Sequence, residues 1–566
     1  MTASGAARLS TRLEPLLRSG TFICLFIGVF HVVCWGAVGL GVARGVGTAL
    51  VATAIYLGFA LAWGEGTARQ KVAPALTALG LVLAVAVLSS RVIDSSYDGQ
   101  SYHGEALLRL REGWNATLGR ELSGKHAIWL NHYPRGPWMT GEGFAALFRD
   151  NEAAKTTNGA LLLAAFLVSA RLLLTRLQAW RAHLVAFVVA ANPVALCQAL
   201  TFYLDGLIAS GLTCMVFLAG GWLAFGEPLQ LLAFGLLVLL LVNAKFTAAI
   251  YAALLLAAVL GCALLAAAPR VRVRKLALLS AGALALGILV IGYAPYVTNT
   301  LRHGHPFYPL FGRGALDVVT EQTPVDWRND APLLRLAHSL LSRPQGWILP
   351  APRFTLPFVF APADLKAFGD PDPRVAGFGP FFSAGLLGAM GIGVLAAVRS
   401  RSARNYVIFM ALVAASVLIN PEAWWARWAP QLWLAAALAP PLLIDDAERW
   451  RRRIGLGVAA VLALNSALIG AIALRKAVKS SAIWHQTLEQ LAQAQDRCGT
   501  YFVVWGDHTS NRARLAHARI SFVEAASREA VSCSRWQPIL PTGEERLTTV
   551  SICAPRAPLD TCLAPP

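Results

Sequence analysis

Acidic and basic residues that could do chemistry lie at the same end of several hydrophobic segments. Asp94 and Asp98 directly follow the third apolar segment, where a carboxylate could act as a general base on a group held at the membrane surface. Basic residues at the same end could bind a phosphate. We therefore expect chemistry at one membrane face rather than a path through the bilayer. The polar residues that share this placement are Asp94, Asp98, Asp205, Lys245, Glu422 and Arg427.

The composition indicates the structure that must position these residues. The chain has 566 residues, of which 56% are hydrophobic and 14% are charged, whereas soluble domains carry roughly 25% charged residues. Apolar runs of about 20 residues recur, long enough to cross ~30 Å of hydrocarbon. They are too long for barrel strands, and open sheets leave backbone groups unpaired in lipid. The sequence predicts an all-α polytopic membrane protein.

We predict about thirteen transmembrane helices. Three longer segments between or after them, 91–156, 297–376 and 476–566, are expected to face the same side. The predicted domains are a multi-span membrane domain, 1–475, and a small α/β domain, 476–566. The predicted spans are 21–43, 46–64, 73–90, 157–175, 183–203, 206–225, 229–244, 247–267, 276–296, 377–398, 405–420, 429–444 and 454–475.

Basic residues in the short loops set the predicted orientation. If the N-terminus is cytoplasmic, the inner segments carry nineteen Lys and Arg residues and the short outer turns carry three, Arg44, Lys245 and Arg427. Basic residues favour the cytoplasmic side. The sequence therefore predicts a multi-pass membrane protein with a cytoplasmic N-terminus, a retained first span and a C-terminus on the opposite side. The net charge of +18 then favours membrane lipids as partners, and we expect no nucleic acid.

The last segment shows features of an exported domain. Its four cysteines, Cys498, Cys533, Cys553 and Cys562, are the ones outside the predicted spans. Four cysteines in an outward domain predict two disulfides, with three pairings possible. Residues 501–505 and 547–553 are expected to form strands and 481–497 a helix.

The loop after the third span contains Asp98-Gly-Gln-Ser-Tyr102-His103, followed by an amphipathic stretch suited to a helix on the membrane surface. Asp98 could simply cap that helix. The motif also resembles the first-loop acidic motif of the GT-C superfamily of polyprenyl-phosphate-sugar-dependent glycosyltransferases. That group includes the protein O-mannosyltransferases and the lipid A aminoarabinose transferases. The stretch 131–138, Asn-His-Tyr-Pro-Arg-Gly-Pro-Trp, resembles the segment that often follows the motif.

The resemblance implies that Asp98 is the catalytic base. Asp94, four residues earlier, is the second candidate, because the two carboxylates would share a face if this segment were helical. Tyr102 and His103, within the motif, are implied to bind substrate. Gly99 follows Asp98 where the O-mannosyltransferases have a second acid, so a role that needs two adjacent acids does not carry over.

Four further residues are predicted to bind substrate, and three of them have a plainer alternative. Asp205 matches an acid in a second outer turn but also suits an Asp-Gly turn. Lys245 could neutralise a phosphate or anchor its helix at the interface. Arg302 lies in a loop that resembles the Gly-x-Pro-x-Tyr-Pro segment of GT-C members. Arg427 lies among three tryptophans typical of an interfacial belt, yet its guanidinium could bind the carrier phosphate.

The function implied is an inverting glycosyltransferase that moves a sugar from a polyprenyl phosphate to an acceptor hydroxyl at the periplasmic face. The acceptor could be a glycan, a lipid or a protein. A divalent cation, Mg²⁺ or Mn²⁺, could assist, but the histidine spacing matches no closed metal site. The alternatives are a transporter or flippase, a polymerase or ligase of lipid-linked saccharides, and a non-catalytic scaffold.

Overall fold

The structure is a computed structural model. It describes residues 3–118, 121–317, 320–344, 353–533, 535–539, 550–556 and 559–563. Within these ranges the chain is mostly helical. Its α-helices are α1 Ala3–Gly39, α2 Val46–Trp63, α3 Ala68–Ser90, α4 Gly104–Arg111, α5 Ala127–His132, α6 Gly136–Phe148, α7 Thr156–Leu173, α8 Ala179–Ala190, α9 Pro193–Gln198, α10 Asp205–Phe225, α11 Pro228–Val242, α12 Phe246–Leu265, α13 Arg270–Leu286, α14 Thr298–His303, α15 Pro332–Leu340, α16 Phe382–Ala397, α17 Arg401–Val417, α18 Gln431–Ala437, α19 Arg449–Cys498, α20 Arg512–His517 and α21 Leu559–Leu563.

Eight helical segments in the described ranges are long and apolar enough to cross a membrane. Four shorter apolar helices accompany them: Ala179–Ala190, Pro228–Val242, Phe382–Ala397 and Gln431–Leu442. Every predicted span has a helix at its position, but the count of thirteen spans stays a prediction. The eight longer segments are Glu14–Gly39, Val46–Trp63, Ala68–Ser90, Asn151–Leu173, Asp205–Phe225, Phe246–Leu265, Arg270–Ile291 and Arg449–Cys498.

The fifth predicted span is broken rather than continuous. Helix α8 ends at Ala190 and α9 begins at Pro193, because a proline inside a helix removes a backbone donor and clashes with the preceding turn. The side chain of Asn192 caps α9 by accepting a hydrogen bond from the Val194 N–H at 3.0 Å. Its amide also donates to the Pro430 carbonyl at 2.8 Å. The break thus fastens this span to the segment that leads into α18.

Helix α19 corrects the predicted division between a span at 454–475 and a separate helix at 481–497. The two are one continuous helix of 50 residues, about 75 Å long at ~1.5 Å per residue. The residues between them contain neither glycine nor proline, so nothing in the backbone interrupts the helix. Since α19 crosses residue 476, the predicted domain boundary falls inside a helix. The division into two domains stays a prediction.

The C-terminal segment forms a four-stranded sheet with the order β2-β1-β4-β3. The strands are β1 Tyr501–Val504, β2 Phe522–Glu524, β3 Gln537–Pro538 and β4 Ser551–Cys553. Strands β1 and β2 are parallel and joined through α20, whereas β4 is antiparallel to β1 and β3. The predicted strand at 547–553 is present from Ser551, and residues 547–549 lie outside the described residues.

Two disulfides fasten this segment, as the cysteine count predicts. Cys498 pairs with Cys562 and Cys533 with Cys553, with Cα–Cα distances of 5.4 and 6.5 Å. The first disulfide links the end of α19 to α21. Tyr501, Val503 and Ile552 of the sheet are buried in one apolar cluster with Trp484 and Leu491 of α19. The sheet therefore packs on the part of α19 that extends beyond its apolar stretch.

The amphipathic stretch of the first outer loop does form a helix, α4, but it does not present a face to the membrane surface. Six of its eight residues, Glu105 among them, are buried. Glu105 itself accepts hydrogen bonds from Thr509 at 2.8 Å and from Arg512 at 3.0 Å. The expectation of an interfacial helix was wrong because the apolar side chains of α4 pack inside the protein and Glu105 contacts the C-terminal segment.

Candidate functional site

Arg427 is the centre of a cluster of ion pairs that joins four distant parts of the chain. It lies on a short 3-10 turn, Ala426–Trp428, between α17 and α18. Its Nη1 is 3.0 Å from Asp98 Oδ2 and 3.7 Å from Asp205 Oδ2, and its Nε is 2.9 Å from Asp372 Oδ1. The Arg427 side chain is 9% exposed. One guanidinium is thus shared by three carboxylates in a mostly buried position.

The guanidinium of Arg427 is held on its faces as well as its edge. Its central carbon lies 4.7 Å from the ring centre of Trp425 and 4.9 Å from that of Tyr203. Trp425 also donates its indole N–H to Asp372 Oδ1 at 2.7 Å. Burial alone would lower the pKa of Arg427, but Asp372 and the other carboxylates outweigh it and raise the pKa well above its usual range. Arg427 is therefore a fixed positive charge.

Asp98 is positioned for this cluster rather than for capping. It precedes the π-helical turn Gly99–His103, and its side chain makes no capping hydrogen bond. Its carboxylate instead accepts from Arg427 Nη1 at 3.0 Å and from the Tyr102 hydroxyl at 3.4 Å. The simple capping role considered from the sequence does not describe its contacts.

Steric contacts explain why a glycine occupies position 99, where the O-mannosyltransferases have a second acid. A Cβ at this position would overlap Asp94 Oδ2 and Ser96 Oγ, so no larger residue fits without moving the turn. The single acid at this point follows from the tight fold of the loop.

Asp205 and Lys245 complete the cluster from two helix ends. Asp205 is the first residue of α10, and Lys245 immediately precedes α12. Lys245 Nζ is 2.6 Å from Asp205 Oδ1 and lies 4.3 Å from the ring centre of Trp428. Their side chains are 4% and 13% exposed. Lys245 is thus turned into the protein, which differs from an anchor that extends to the interface.

A cavity of about 300 Å³ adjoins the cluster. Its wall brings together the first outer loop, the segment before α16, the turn that carries Arg427, and the C-terminal segment. Six of its lining residues are aromatic, which suits stacking against a ring. The lining residues are Tyr97, Asp98, Ser101, Tyr102, Lys125, His126, Trp129, Tyr133, Lys245, Gln322, Arg374, Trp425, Arg427, Trp428 and Asp507.

The predicted substrate-binding residues Tyr102 and His103 take different positions. Tyr102 lines the cavity, whereas His103 lies behind it beside Asp205 and Lys245. His103 is 3% exposed, and its Nδ1 accepts the Trp138 indole N–H at 2.8 Å. Burial, assisted by Lys245, lowers the pKa of His103 to about 3. His103 is therefore a neutral ring that supports the cluster from behind.

The structure places Asp94 away from the cluster. Residues 93–96 are not helical, so Asp94 and Asp98 do not share a helix face. The Asp94 carboxylate accepts the Phe202 N–H at 2.8 Å and both the N–H and the hydroxyl of Ser96 at 2.8 and 2.9 Å. Burial raises its pKa. These contacts make Asp94 a residue that fixes the loop carrying Asp98.

Arg302 and Glu422 also lie outside the cluster. Arg302 pairs with Glu121, and both side chains are more than half exposed. Glu422 is buried and pairs with Arg335 at 2.9 Å while accepting from Thr323 at 2.7 Å. Neither Arg302 nor Glu422 lines the 300 Å³ cavity. Of the predicted site residues, the structure brings together Asp98, Tyr102, Asp205, Lys245 and Arg427.

Sequence reasoning missed Asp372, which binds Arg427 as closely as Asp98 does. It lies in the run Asp370-Pro-Asp372-Pro-Arg374 just before α16, and Arg374 Nε is 3.1 Å from its second oxygen. Alternating acids and prolines ahead of a span were a signal that could have found it. Tyr203, next to the predicted Asp205, was also missed.

The cluster does not suit a divalent cation as it is arranged. Mg²⁺ and Mn²⁺ prefer oxygen ligands, but the Arg427 guanidinium fills the space between the three carboxylates. Among the residues that the structure describes, no group of three or more His, Cys, Asp or Glu side chains could hold a metal ion. Any chemistry at this cluster therefore depends on the side chains themselves.

Comparisons with known proteins give structural matches only. No family model matches the sequence, and no curated protein does. Two crystal structures of ArnT from Cupriavidus metallidurans, one bound to undecaprenyl phosphate and one in the apo state, each match with a TM-score of 0.45. Each is 14% identical and covers 80% of this chain and 86% of the ArnT chain.

ArnT is a lipid A aminoarabinose transferase and a GT-C enzyme. Both matching structures are of this enzyme. At 14% identity and a TM-score of 0.45, they establish no activity for this chain, whose own residues must carry the functional argument.

Proposed function

We propose that this protein is an inverting glycosyltransferase that moves a sugar from a polyprenyl phosphate carrier to an acceptor hydroxyl. One observation carries the proposal. Asp98, a carboxylate that caps no helix, lines the same cavity as two cations, Arg427 and Lys245. A carboxylate can remove a proton, and fixed cations can stabilise a departing phosphate. The cavity brings both kinds of group to one bound molecule.

The proposed reaction is a single displacement. The acceptor oxygen attacks the anomeric carbon while Asp98 removes the hydroxyl proton. The bond between that carbon and the phosphate oxygen breaks, and the phosphate leaves with the electron pair. Attack opposite the leaving group inverts the anomeric configuration.

Arg427 and Lys245 are assigned to the leaving phosphate. The phosphate gains negative charge as its bond breaks, and fixed cations in a site of low water content stabilise that charge. Arg427 can bind two phosphate oxygens at once, which a lysine cannot. Asp205 and Asp372 are assigned to orientation, because each contacts a cation directly. Tyr102, which donates to Asp98, is assigned to positioning the base.

The cavity suits a sugar and its phosphate rather than a whole lipid. Its volume of about 300 Å³ lies at the small end of ligand pockets. Trp129, Trp425 and Trp428 line it and supply apolar faces for a sugar ring. The isoprenoid chain of the carrier would lie outside this space, along the apolar helices.

The location of the charged residues supports an enzyme over a transporter. Asp205 and Lys245 lie at the ends of α10 and α12, whereas transporters place binding groups near the bilayer midplane. The excess of basic residues in the opposite loops, nineteen against three, supports placing the cluster on the periplasmic face of an inner membrane. The N-terminus would then be cytoplasmic.

The test compares wild-type protein with Asp98→Asn in membranes supplied with radiolabelled lipid-linked sugars. We expect transfer to fall by about 10²–10⁴-fold, the usual contribution of a general base, at equal protein level and unchanged thermal unfolding. Asp94→Asn is the matched control, expected to lower stability more than transfer per folded molecule. Transfer by Asp98→Asn at the wild-type rate would overturn the proposal.

A further inference from the structure

A second space, a groove of about 650 Å³, borders the Arg427 cluster. Asp372 and Tyr203, which both contact Arg427, line the groove, and Tyr97, the neighbour of Asp98, lines both spaces. Neither Arg427 nor Lys245 lines the groove. The groove therefore meets the proposed site without containing the cations assigned to the donor phosphate.

The groove is apolar along one stretch and polar along the next. Leu196, Leu200, Ala473 and Leu474 line the apolar part, and Leu474 is 56% exposed. These residues belong to spans or lie beside them, so this part would face hydrocarbon chains. A free glycan or a protein segment would find few polar partners there.

Two lysines follow directly along α19. Lys476 and Lys479 line the groove two and five residues beyond Leu474, about half a turn and one and a half turns along the helix. Lys476 Nζ is 3.9 Å from Asp370, while Lys479 forms no ion pair with any residue that the structure describes. The other acids of the wall are bound from behind, Asp94 by backbone N–H groups and Asp372 by two arginines. The lysines therefore supply the groove with positive charge at the level where lipid headgroups lie.

His508 is a buried polar side chain without a partner at the inner end of the groove. It is 1% exposed, and neither ring nitrogen has a hydrogen-bond partner among the described residues. Its ring packs edge-on against Tyr97 at 5.2 Å. Burial lowers its pKa to about 4, so at neutral pH the ring offers one donor and one acceptor. An unpaired buried polar group is costly, and a ligand hydroxyl would satisfy it.

We propose that the groove binds the acceptor, and that the acceptor is a membrane lipid with a negatively charged, hydroxyl-bearing headgroup. The chains lie along Leu196, Leu200 and Leu474, and the charge lies between Lys476 and Lys479. The headgroup hydroxyls reach His508 and the cluster beyond Tyr97. This inference rests on the proposed glycosyl transfer and selects a lipid from the acceptors that the sequence leaves open. In this arrangement Arg427 and Lys245 bind the donor phosphate, and Lys476 and Lys479 bind the acceptor headgroup.

Lipid binding by the detergent-solubilised full-length protein tests the groove without requiring transfer. Native mass spectrometry would measure retention of phosphatidylglycerol, phosphatidylethanolamine and undecaprenyl phosphate. We expect phosphatidylglycerol to bind more tightly than phosphatidylethanolamine. Its affinity should fall on the order of tenfold in the double variant Lys476→Gln, Lys479→Gln. His508→Phe should weaken it further, whereas undecaprenyl phosphate should respond only to Arg427→Gln.

Arg475→Gln is the matched control, because Arg475 is the neighbouring cation of α19 and does not line the groove. Thermal unfolding of each variant checks the fold. Unchanged phosphatidylglycerol binding in the double variant would overturn the site. If that variant lost undecaprenyl phosphate binding, the groove would be a binding site for the donor, and the acceptor assignment would be overturned.

The acceptor class has its own test. Membranes incubated with radiolabelled lipid-linked sugars should yield label in a new anionic lipid in the organic extract. The double lysine variant should raise the KM for the acceptor lipid while kcat changes little. Label found only in protein or in water-soluble glycan would overturn the lipid assignment. If Asp98→Asn did not reduce transfer, the proposed glycosyl transfer would be overturned. The binding measurement would still decide whether the groove holds a lipid.

Discussion

Two buried arginines organise neighbouring regions of this protein in different ways. Arg514 of the C-terminal segment donates to Glu152 at 2.7 Å, to the Asp94 carbonyl at 2.6 Å and to Asn511 at 2.7 Å. Glu152 also pairs with Lys155 at 2.6 Å. Arg427 is as well buried, with 9% of its side chain exposed against 10% for Arg514. Its closest partners are carboxylates from three separate segments.

The difference lies in what each arginine faces. Neither Arg514 nor Glu152 lines the 300 Å³ cavity or the 650 Å³ groove, whereas Arg427 and Asp98 line the cavity. The contacts of Arg514 tie the C-terminal segment to the loop that carries Asp98. Buried ionic networks occur for structural reasons as well as functional ones. Contact with a cavity, rather than burial or charge, marks the network that can do chemistry.

The largest expected effect separates the two arginines by their influence on transfer. Arg427→Lys should reduce sugar transfer by about 10²–10³-fold, as loss of a positioned transition-state donor does, because a lysine cannot span several carboxylates and a phosphate. Arg514→Lys should keep most of the transfer per folded molecule. Initial rates in membranes, normalised to folded protein, measure both. Equal losses in the two variants would contradict the division drawn here.

The second-largest effect is expected on the free energy of unfolding. Arg514→Gln should lower the free energy of unfolding by about 3 kcal/mol, because it leaves Glu152 buried with Lys155 as its remaining cation. Thermal unfolding in detergent measures the change. Restoration of stability by combining Arg514→Gln with Glu152→Gln would show that the cost comes from the unpaired charge. A large loss of kcat with an unchanged unfolding midpoint would instead make Arg514 part of the site.

A pH effect should follow from His103, behind the Arg427 cluster. Its pKa is lowered to about 3 from the usual value of 6.5, so the unfolded chain takes up the proton first as pH falls. Stability should be unaffected above pH 6.5 and should fall by about 2 kcal/mol between pH 6.5 and 5. His103→Phe should remove this contribution and leave a shallower fall, because the pKa of His508 is lowered in the same direction; His305→Phe is the control. Parallel profiles for wild type and His103→Phe would exclude this origin.

The smallest effect is expected at Arg302. Its pair with Glu121 is exposed on both sides, at 57% and 51%, and such pairs contribute about 0–1 kcal/mol. Arg302→Gln should therefore leave transfer within about twofold of wild type and barely change unfolding. A strong loss of transfer would restore the substrate-binding role that the sequence resemblance implies.

The sequence predicts the local features well. Long apolar runs give helices at every predicted span position, because hydrophobic length is a local property of the chain. The two disulfides predicted from the cysteine count are also present. The predicted helix at 481–497 is present, but it is continuous with the preceding span. No local signal shows that two helical stretches with different surroundings share one axis.

For the candidate site, residue type and position at a span end predict Asp98, Asp205, Lys245 and Arg427. They do not predict Asp372, whose long loop could follow many paths before it meets Arg427. Nor do they distinguish Asp94 from Asp98, since both are acids after the same span. The Phe202 N–H, more than a hundred residues away in the chain, binds Asp94 and makes it structural.

Local sequence is enough to specify a helical membrane protein with its acids and bases collected at the ends of spans, because hydrophobicity and charge act over short stretches of chain. Which of those charges meet depends on the packed fold. Asp98 and Arg427 lie 329 residues apart in sequence and 3.0 Å apart in space. Their meeting depends on the packing of several helices and on the C-terminal segment that holds the first outer loop, which no local pattern encodes.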